Sequence, residues 1–172
     1  MKSILISIKP EWVAMILNGD KTIEIRKSYP KCELPIKCYI YCTKAKTTNR
    51  HLLKLDDEIS GTHFVIGHYG ERIDGLVVAE FMLNRVEELE NVVLPTIPTC
   101  VYLTKTKRFA SAVEKIGCLS QNEIYNYLGG KNGYAWYIDN LKIYDKPKEL
   151  SEFGVKRAFQ SWRYIKEIKN EN

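Results

Sequence analysis

From the amino terminus, apolar positions first recur at every second residue. Ile4, Ile6 and Ile8 alternate with Leu5, Ser7 and Lys9, the signature of a strand with one buried face. Pro10 then opens a helix, since its fixed φ suits the first turn and its missing N–H costs nothing there. Trp12, Val13, Ile16 and Leu17 follow at helical spacing, and Asn18-Gly19 supplies the stop. Residues 22–27 predict a second strand with Thr22, Glu24 and Arg26 on one face and Ile23 and Ile25 on the other. Residues 36–43 predict a third, with Ile36, Cys38, Ile40 and Cys42 on one face and Lys37, Tyr39 and Tyr41 on a more polar one. Between 44 and 74 the periodicity stops. A stretch of that length without regular structure reads as an insertion, here with a helical turn around 51–59 and a small hairpin.

The pattern resumes at 75–86 (GLVVAEFMLNRV), the clearest strand in the chain, on which Glu80 shares an apolar face with Leu76, Val78 and Met82. Such a carboxylate is either paired or lines a cleft. Residues 88–99, with Pro95 and Pro98, read as a loop, 101–103 as a short extended piece and 109–116 as a helix. Ser120 and Glu123 have the spacing of a capping box that opens a helix over 123–128, closed by Gly129-Gly130. Residues 133–144 form a last long strand whose Trp136 reads as core, and the tail from about 147 packs back through 150–153 and 159–164. Five or so strands interleaved with three short helices, few of them at βαβ spacing, predict an α+β fold. It is a mixed or antiparallel β-barrel with short flanking helices, one domain spanning 1–172.

Composition narrows the class without naming a function. An apolar share of 45% with 27% charged residues is that of a globular chain with material for a core. No apolar run approaches the roughly 20 residues that cross a bilayer, and the expected setting is the cytoplasm. The net charge of +5 gathers early: through residue 54 the only acids are Glu11, Asp20, Glu24 and Glu33. A basic first part attracts polyanions, nucleic acid foremost, or is a solvated face that binds nothing. The 5 cysteines and 3 histidines lack metal-ligand spacing and read as thiols of a reducing compartment, so neither metal nor cofactor is expected.

The candidate chemistry gathers at the second strand. Lys9, Lys21 and Arg26 offer donors to phosphate or carbonyl oxygens, and Glu24 accepts from a base amino group or pairs with its basic neighbours. Trp12, Tyr39 and Tyr41 offer rings for stacking, and Ser7 shares a face with Lys9. The bland alternative is a salt-bridge network holding helix to strand. Lys21 can act as a base only if burial or cationic neighbours lower its pKa; Lys9 and Arg26 pull that way and Glu24 the other.

The series SIKPEW, NGDKTIEIRKSYPK, YIYCT, GLVVAEFMLNRVEEL, SQNEIYNYLGG, YAWYIDNLKIYDKPKELSEFG and VKRAFQSWRYI resembles the ASCH domain of the PUA-like superfamily, in order and over nearly the whole chain. The G-x-K-x-x-E-x-R pattern stands at Gly19, Lys21, Glu24 and Arg26. The likeness is strongest to the group described as predicted transcriptional regulators or RNA-binding proteins. It departs at the 44–74 insertion and at Phe159, where such tails commonly read Pro. The resemblance implies a PUA-like barrel with a cleft beside its first helix for RNA, a nucleotide or a modified nucleoside. Ser7, Lys9, Trp12, Lys21, Glu24, Arg26, Tyr39 and Tyr41 are its candidate binding residues. Some members look like single-stranded RNA nucleases, and one branch hydrolyses acetylcytidine with a Lys, a Thr and a Glu. Lys21 stands in the matching place here, but Glu24 occupies the position of that Thr. The alternatives are a metal-independent hydrolase using Lys21 with Glu24 or Glu123, and a protein-interaction module built on the insertion.

Overall fold

The computed structural model describes residues 2–44, 51–52, 65–66, 73–93, 100–107 and 109–166, with backbone alone at 51–52, 65–66 and 100. In chain order the elements are β1 (Lys2–Ile8), α1 (Pro10–Leu17), β2 (Ile23–Arg26), β3 (Ile36–Cys42), β4 (His51–Leu52), β5 (Val65–Ile66), β6 (Val77–Leu83) and β7 (Val86–Val93). There follow β8 (Cys100–Leu103), α2 (Ala110–Gly117), α3 (Gln121–Leu128), β9 (Gly133–Tyr137), β10 (Asp139–Lys148), a 3-10 turn at Leu150–Phe153 and β11 (Trp162–Lys166). The fold is α+β, with mixed and antiparallel sheets, as the periodicities predict. The chain forms two compact units, one of Met1–Gly19, Ile36–Met82 and Asn140–Asn172, the other of Asp20–Pro35 and Leu83–Asp139.

The first unit holds a five-stranded sheet ordered β10-β6-β3-β1-β11, in which β1 runs parallel to β3 and antiparallel to β11. The period-two reading of β1 predicts one buried face, yet Ser3 through Ile8 are all buried. An interior strand covered on both sides has no solvent face to alternate with. Likewise, the supposed polar face of β3 is apolar in its surroundings. Tyr39 and Tyr41 join Leu5, Val77, Leu150, Phe153, Val155 and Ile165 in one core cluster, so the 3-10 turn and β11 supply the packing expected of the tail. Glu80 is paired: its Oε2 accepts from the Tyr144 hydroxyl at 2.7 Å and its Oε1 lies 3.9 Å from Lys37 Nζ. Of the 44–74 insertion, the small hairpin is present as β4 against β5. The helical turn expected around 51–59 is overturned at 51–52, which form β4; residues 53–59, and most of the segment that would carry a protein partner, lie outside the described residues.

The second unit holds a four-stranded sheet ordered β2-β9-β7-β8, antiparallel at each junction. Ile23, Ile25, Leu89, Tyr102, Ala135 and Tyr137 from its strands pack against Val113, Ile124 and Leu128 of α2 and α3. Each aliphatic side chain so buried is worth about 1.5–3 kcal/mol. The predicted capping box opens α3: Ser120 Oγ accepts from Glu123 N, and the Glu123 carboxylate accepts from Ser120 N at 2.9 Å. Two expectations are corrected. Residues 88–93, read as the start of a loop, belong to β7, whose exposed Glu88 and Glu90 hide the one buried alternation at Leu89. The long strand over 133–144 is two strands in two different sheets, divided at Ile138 and followed by Asn140 in the left-handed region at φ 50°.

Candidate functional site

Charge enters the interior of the second unit through the turn before β2 and through β2 itself. Ile23 and Ile25 take the core side of this four-residue strand, which leaves Glu24 and Arg26 on the other, opposite Trp136 and Tyr134 of β9. Lys21 precedes the strand. Its Nζ donates to the Gly117 carbonyl at the last residue of α2, 2.5 Å away, and lies 3.6 Å from Glu24 Oε2. The other oxygen of Glu24 is 3.1 Å from Arg26 Nη2. The side chains of Lys21, Glu24 and Arg26 are only 1%, 9% and 8% exposed. Gly133 lets this arrangement close, because a Cβ there would stand 2.6 Å from Leu128 and 3.2 Å from the Arg26 carbonyl.

Two cations here share one carboxylate. Burial pulls the Lys21 ammonium below its ordinary value; the pull of Glu24 offsets part of this, and Arg26 adds to the lowering. The contest left open by sequence is thus decided by burial. The Cys118 thiol, in the left-handed position that ends α2, lies 3.2 Å from the Asp20 carbonyl and is pushed up by burial against the opposing charge of Lys21. The cluster can present several N–H donors to a phosphate or carbonyl oxygen and one carboxylate to an amino group.

A second polar cluster in the same unit was not anticipated. The Glu87 carboxylate accepts from the Thr106 hydroxyl at 2.7 Å and from the Tyr137 hydroxyl at 3.3 Å, with Arg85 Nε at 3.5 Å. The Arg85 guanidinium lies over the Tyr137 ring, 3.7 Å from its centroid. Its residues are scattered over 85–137, and only an R-x-E on a strand could have hinted at it. Burial pushes the Glu87 carboxyl up, but bonds from Thr106 and Thr104, the Arg85 charge and Tyr137 together hold it below the ordinary 4.5. Its stabilisation is therefore complete above pH 4.5 and lost as pH falls through the lowered value. Glu87→Gln is expected to flatten the acid limb of stability in that window, as read from urea midpoints. An unchanged acid limb would remove Glu87 from the account.

The family model of the ASCH domain matches residues 6–151, well over half of the chain. This chain belongs to the ASCH domain family. The family is a PUA-like fold generally linked to RNA binding. Among solved structures, a serine-to-alanine variant of the ASCH protein of Zymomonas mobilis matches with a TM-score of 0.60 and 15% identity, over 95% of this chain and 88% of that one. The unmodified ASCH protein of Zymomonas mobilis matches at TM-score 0.59 and 16% identity, over 98% and 89%. Such likenesses establish the fold. No curated protein matches this chain.

In this ASCH chain the residues singled out by sequence divide between the units. Lys21, Glu24 and Arg26 come together in the second. Glu123 is in that unit too, but its carboxylate serves the cap of α3, and the Ser120 backbone and hydroxyl hold it below its ordinary value. Ser7, Lys9, Trp12, Tyr39 and Tyr41 are in the first unit. Ser7 Oγ donates to the Phe159 carbonyl at 2.8 Å. Lys9 is exposed, with Glu11 4.0 Å away, and Trp12 is half-buried. Tyr39 meets Phe153 edge-on at 5.0 Å, and Tyr41 stacks on Phe159 at 6.0 Å. With 3% and 1% exposure, these two rings serve the core rather than a base. Trp136 is core as expected, fully buried, its Nε1 donating to the Ser28 carbonyl at 3.2 Å.

Proposed function

We propose that this ASCH domain binds RNA or a nucleotide-like ligand through Lys21, Glu24 and Arg26. One observation carries the reading: Lys21 and Arg26, both buried, converge on the Glu24 carboxylate where solvent screening is weak. A phosphate or base carbonyl oxygen accepts from the N–H groups of the two cations, and Glu24 accepts from an amino group of the same ligand. The family's general link to RNA and the basic first part of the chain support it. A regulatory role toward transcripts belongs to the same reading.

The test is binding of short labelled RNAs by anisotropy, with nucleosides and nucleotides screened by thermal shift. A ligand at about 100 times its Kd adds about 2.7 kcal/mol of stability. Lys21→Ala and Arg26→Ala are each expected to remove the binding, and RNA affinity should fall steeply with salt. Wild-type affinity in both variants overturns the assignment. The second reading, a hydrolase with Lys21 as base and Glu24 beside it, is favoured by the lowered Lys21 pKa. It requires turnover of a modified nucleoside or RNA without added metal, lost in Lys21→Ala; no product across such a panel counts against it.

A further inference from the structure

Beyond the cluster, β2 runs on into Lys27-Ser28-Tyr29-Pro30-Lys31, a stretch with exposed rings and cations that the site above leaves unused. Tyr29 is 41% exposed and lies on Tyr134 of β9, the rings 4.6 Å apart and inclined by 49°. Tyr127 of α3 is 40% exposed, with Lys27 Nζ 5.3 Å from its ring centre and the Arg26 guanidinium bonded to its hydroxyl. The Ser28 carbonyl is tied to the core by Trp136, so Tyr29 projects from an anchored turn. Exposed aromatic faces interleaved with Lys27 and Lys31 are what unstacked bases on a phosphate backbone require. A duplex keeps its bases stacked on one another and offers no face to these rings.

We propose that Tyr29 and Tyr127, with Lys27 and Lys31, form a stacking subsite for single-stranded RNA that continues from the Lys21–Glu24–Arg26 cluster. The subsite rests on the RNA reading of that cluster, and Arg26 is common to both. A base stacks on the open face of Tyr29, a second on Tyr127, and the intervening phosphates meet the two lysines.

The experiment measures affinity for a fluorescein-labelled uridine hexamer and, by calorimetry, for uridine monophosphate, in wild type and variants. Tyr29→Ala and Tyr127→Ala are each expected to weaken hexamer binding about 5- to 150-fold, the value of one base–aromatic stack. Mononucleotide binding should hold in Tyr29→Ala, whereas Tyr127→Ala also removes the bond to Arg26 and is read on the hexamer alone. Tyr29→Phe and Tyr127→Phe keep the ring and should restore hexamer affinity, which a purely structural role of the Tyr127 hydroxyl would not allow. Lys27→Ala should reduce the salt slope by about one. If Tyr29→Ala weakens the hexamer while Lys21→Ala does not, the stacking subsite stands and the cluster reading falls. Hexamer affinity within twofold of wild type in both alanine variants overturns the subsite. So does wild-type protein that ignores the hexamer, or that binds a duplex equally well.

Discussion

Replacing Glu24 by alanine is expected to destabilise the protein by about 3–5 kcal/mol, the loss that follows when one member of a buried ion pair is removed. Glu24 lies against both Lys21 and Arg26, which are 1% and 8% exposed. Without it, two cations are left in a poorly solvated place and repel each other. At about 2–4 °C per kcal/mol for a chain of this size, the melting midpoint should drop by about 10 °C. A change below about 1 kcal/mol would show that solvent already reaches the charges and would sink the description of them as a buried cluster. A combined Lys21→Met, Glu24→Leu and Arg26→Met variant, with all three charges removed together, is expected to be neutral or more stable. If that protein folds and no longer binds ligand, the charges serve recognition. Retained binding would instead leave them a structural network holding β2 to the end of α2.

Replacing Lys21 alone by methionine is expected to cost less, about 1–3 kcal/mol at pH 7. Glu24 and Arg26 remain as a balanced pair, and the loss is the donor to the Gly117 carbonyl. The order, Glu24→Ala worse than Lys21→Met, is itself a check on the charge count. The pH signature is more specific. Because the folded-state pKa of Lys21 lies below 10.5, the unfolded chain holds a proton that the folded chain has released between those two values. Stability contributed at this position therefore rises with pH through that window, and in Lys21→Met the rise is absent. Buried Cys42 and half-buried Tyr144 act in the opposite sense: desolvation pushes both up, so the fold loses stability as the unfolded chain ionises them above about pH 9. Both proteins share that loss, and it cancels in their difference. Urea midpoints for the pair, compared from pH 7 to 10.5, should diverge. A constant gap would mean that Lys21 titrates as an ordinary surface lysine.

Where local sequence decides local structure, the reading was accurate. Pro10 and Gly19 bracket α1, and the reciprocal bonds of Ser120 and Glu123 are those their spacing predicts. It failed where environment outweighs periodicity. Tyr39 and Tyr41 looked like a polar face because Lys37 precedes them, but aromatic rings from the tail cover both. The strand character of 88–93 is hidden by Glu88 and Glu90, which are exposed while Leu89 alone is buried, and it is held by pairing with β8 and β9. Glu123, a candidate catalytic carboxylate by residue type, is already engaged by its own capping box.

By itself, then, the sequence determined the family, the α+β class and the segment Gly19–Arg26 as the place where charge concentrates, since these depend on residue types and spacings within a few positions. Only the tertiary structure decided what that charge experiences. The carbonyl that anchors Lys21 lies 96 residues away, and Tyr127 reaches Arg26 from a helix equally remote in the chain. The free energy of an ion depends on the groups and solvent around it, and for Lys21 those groups are brought together by folding.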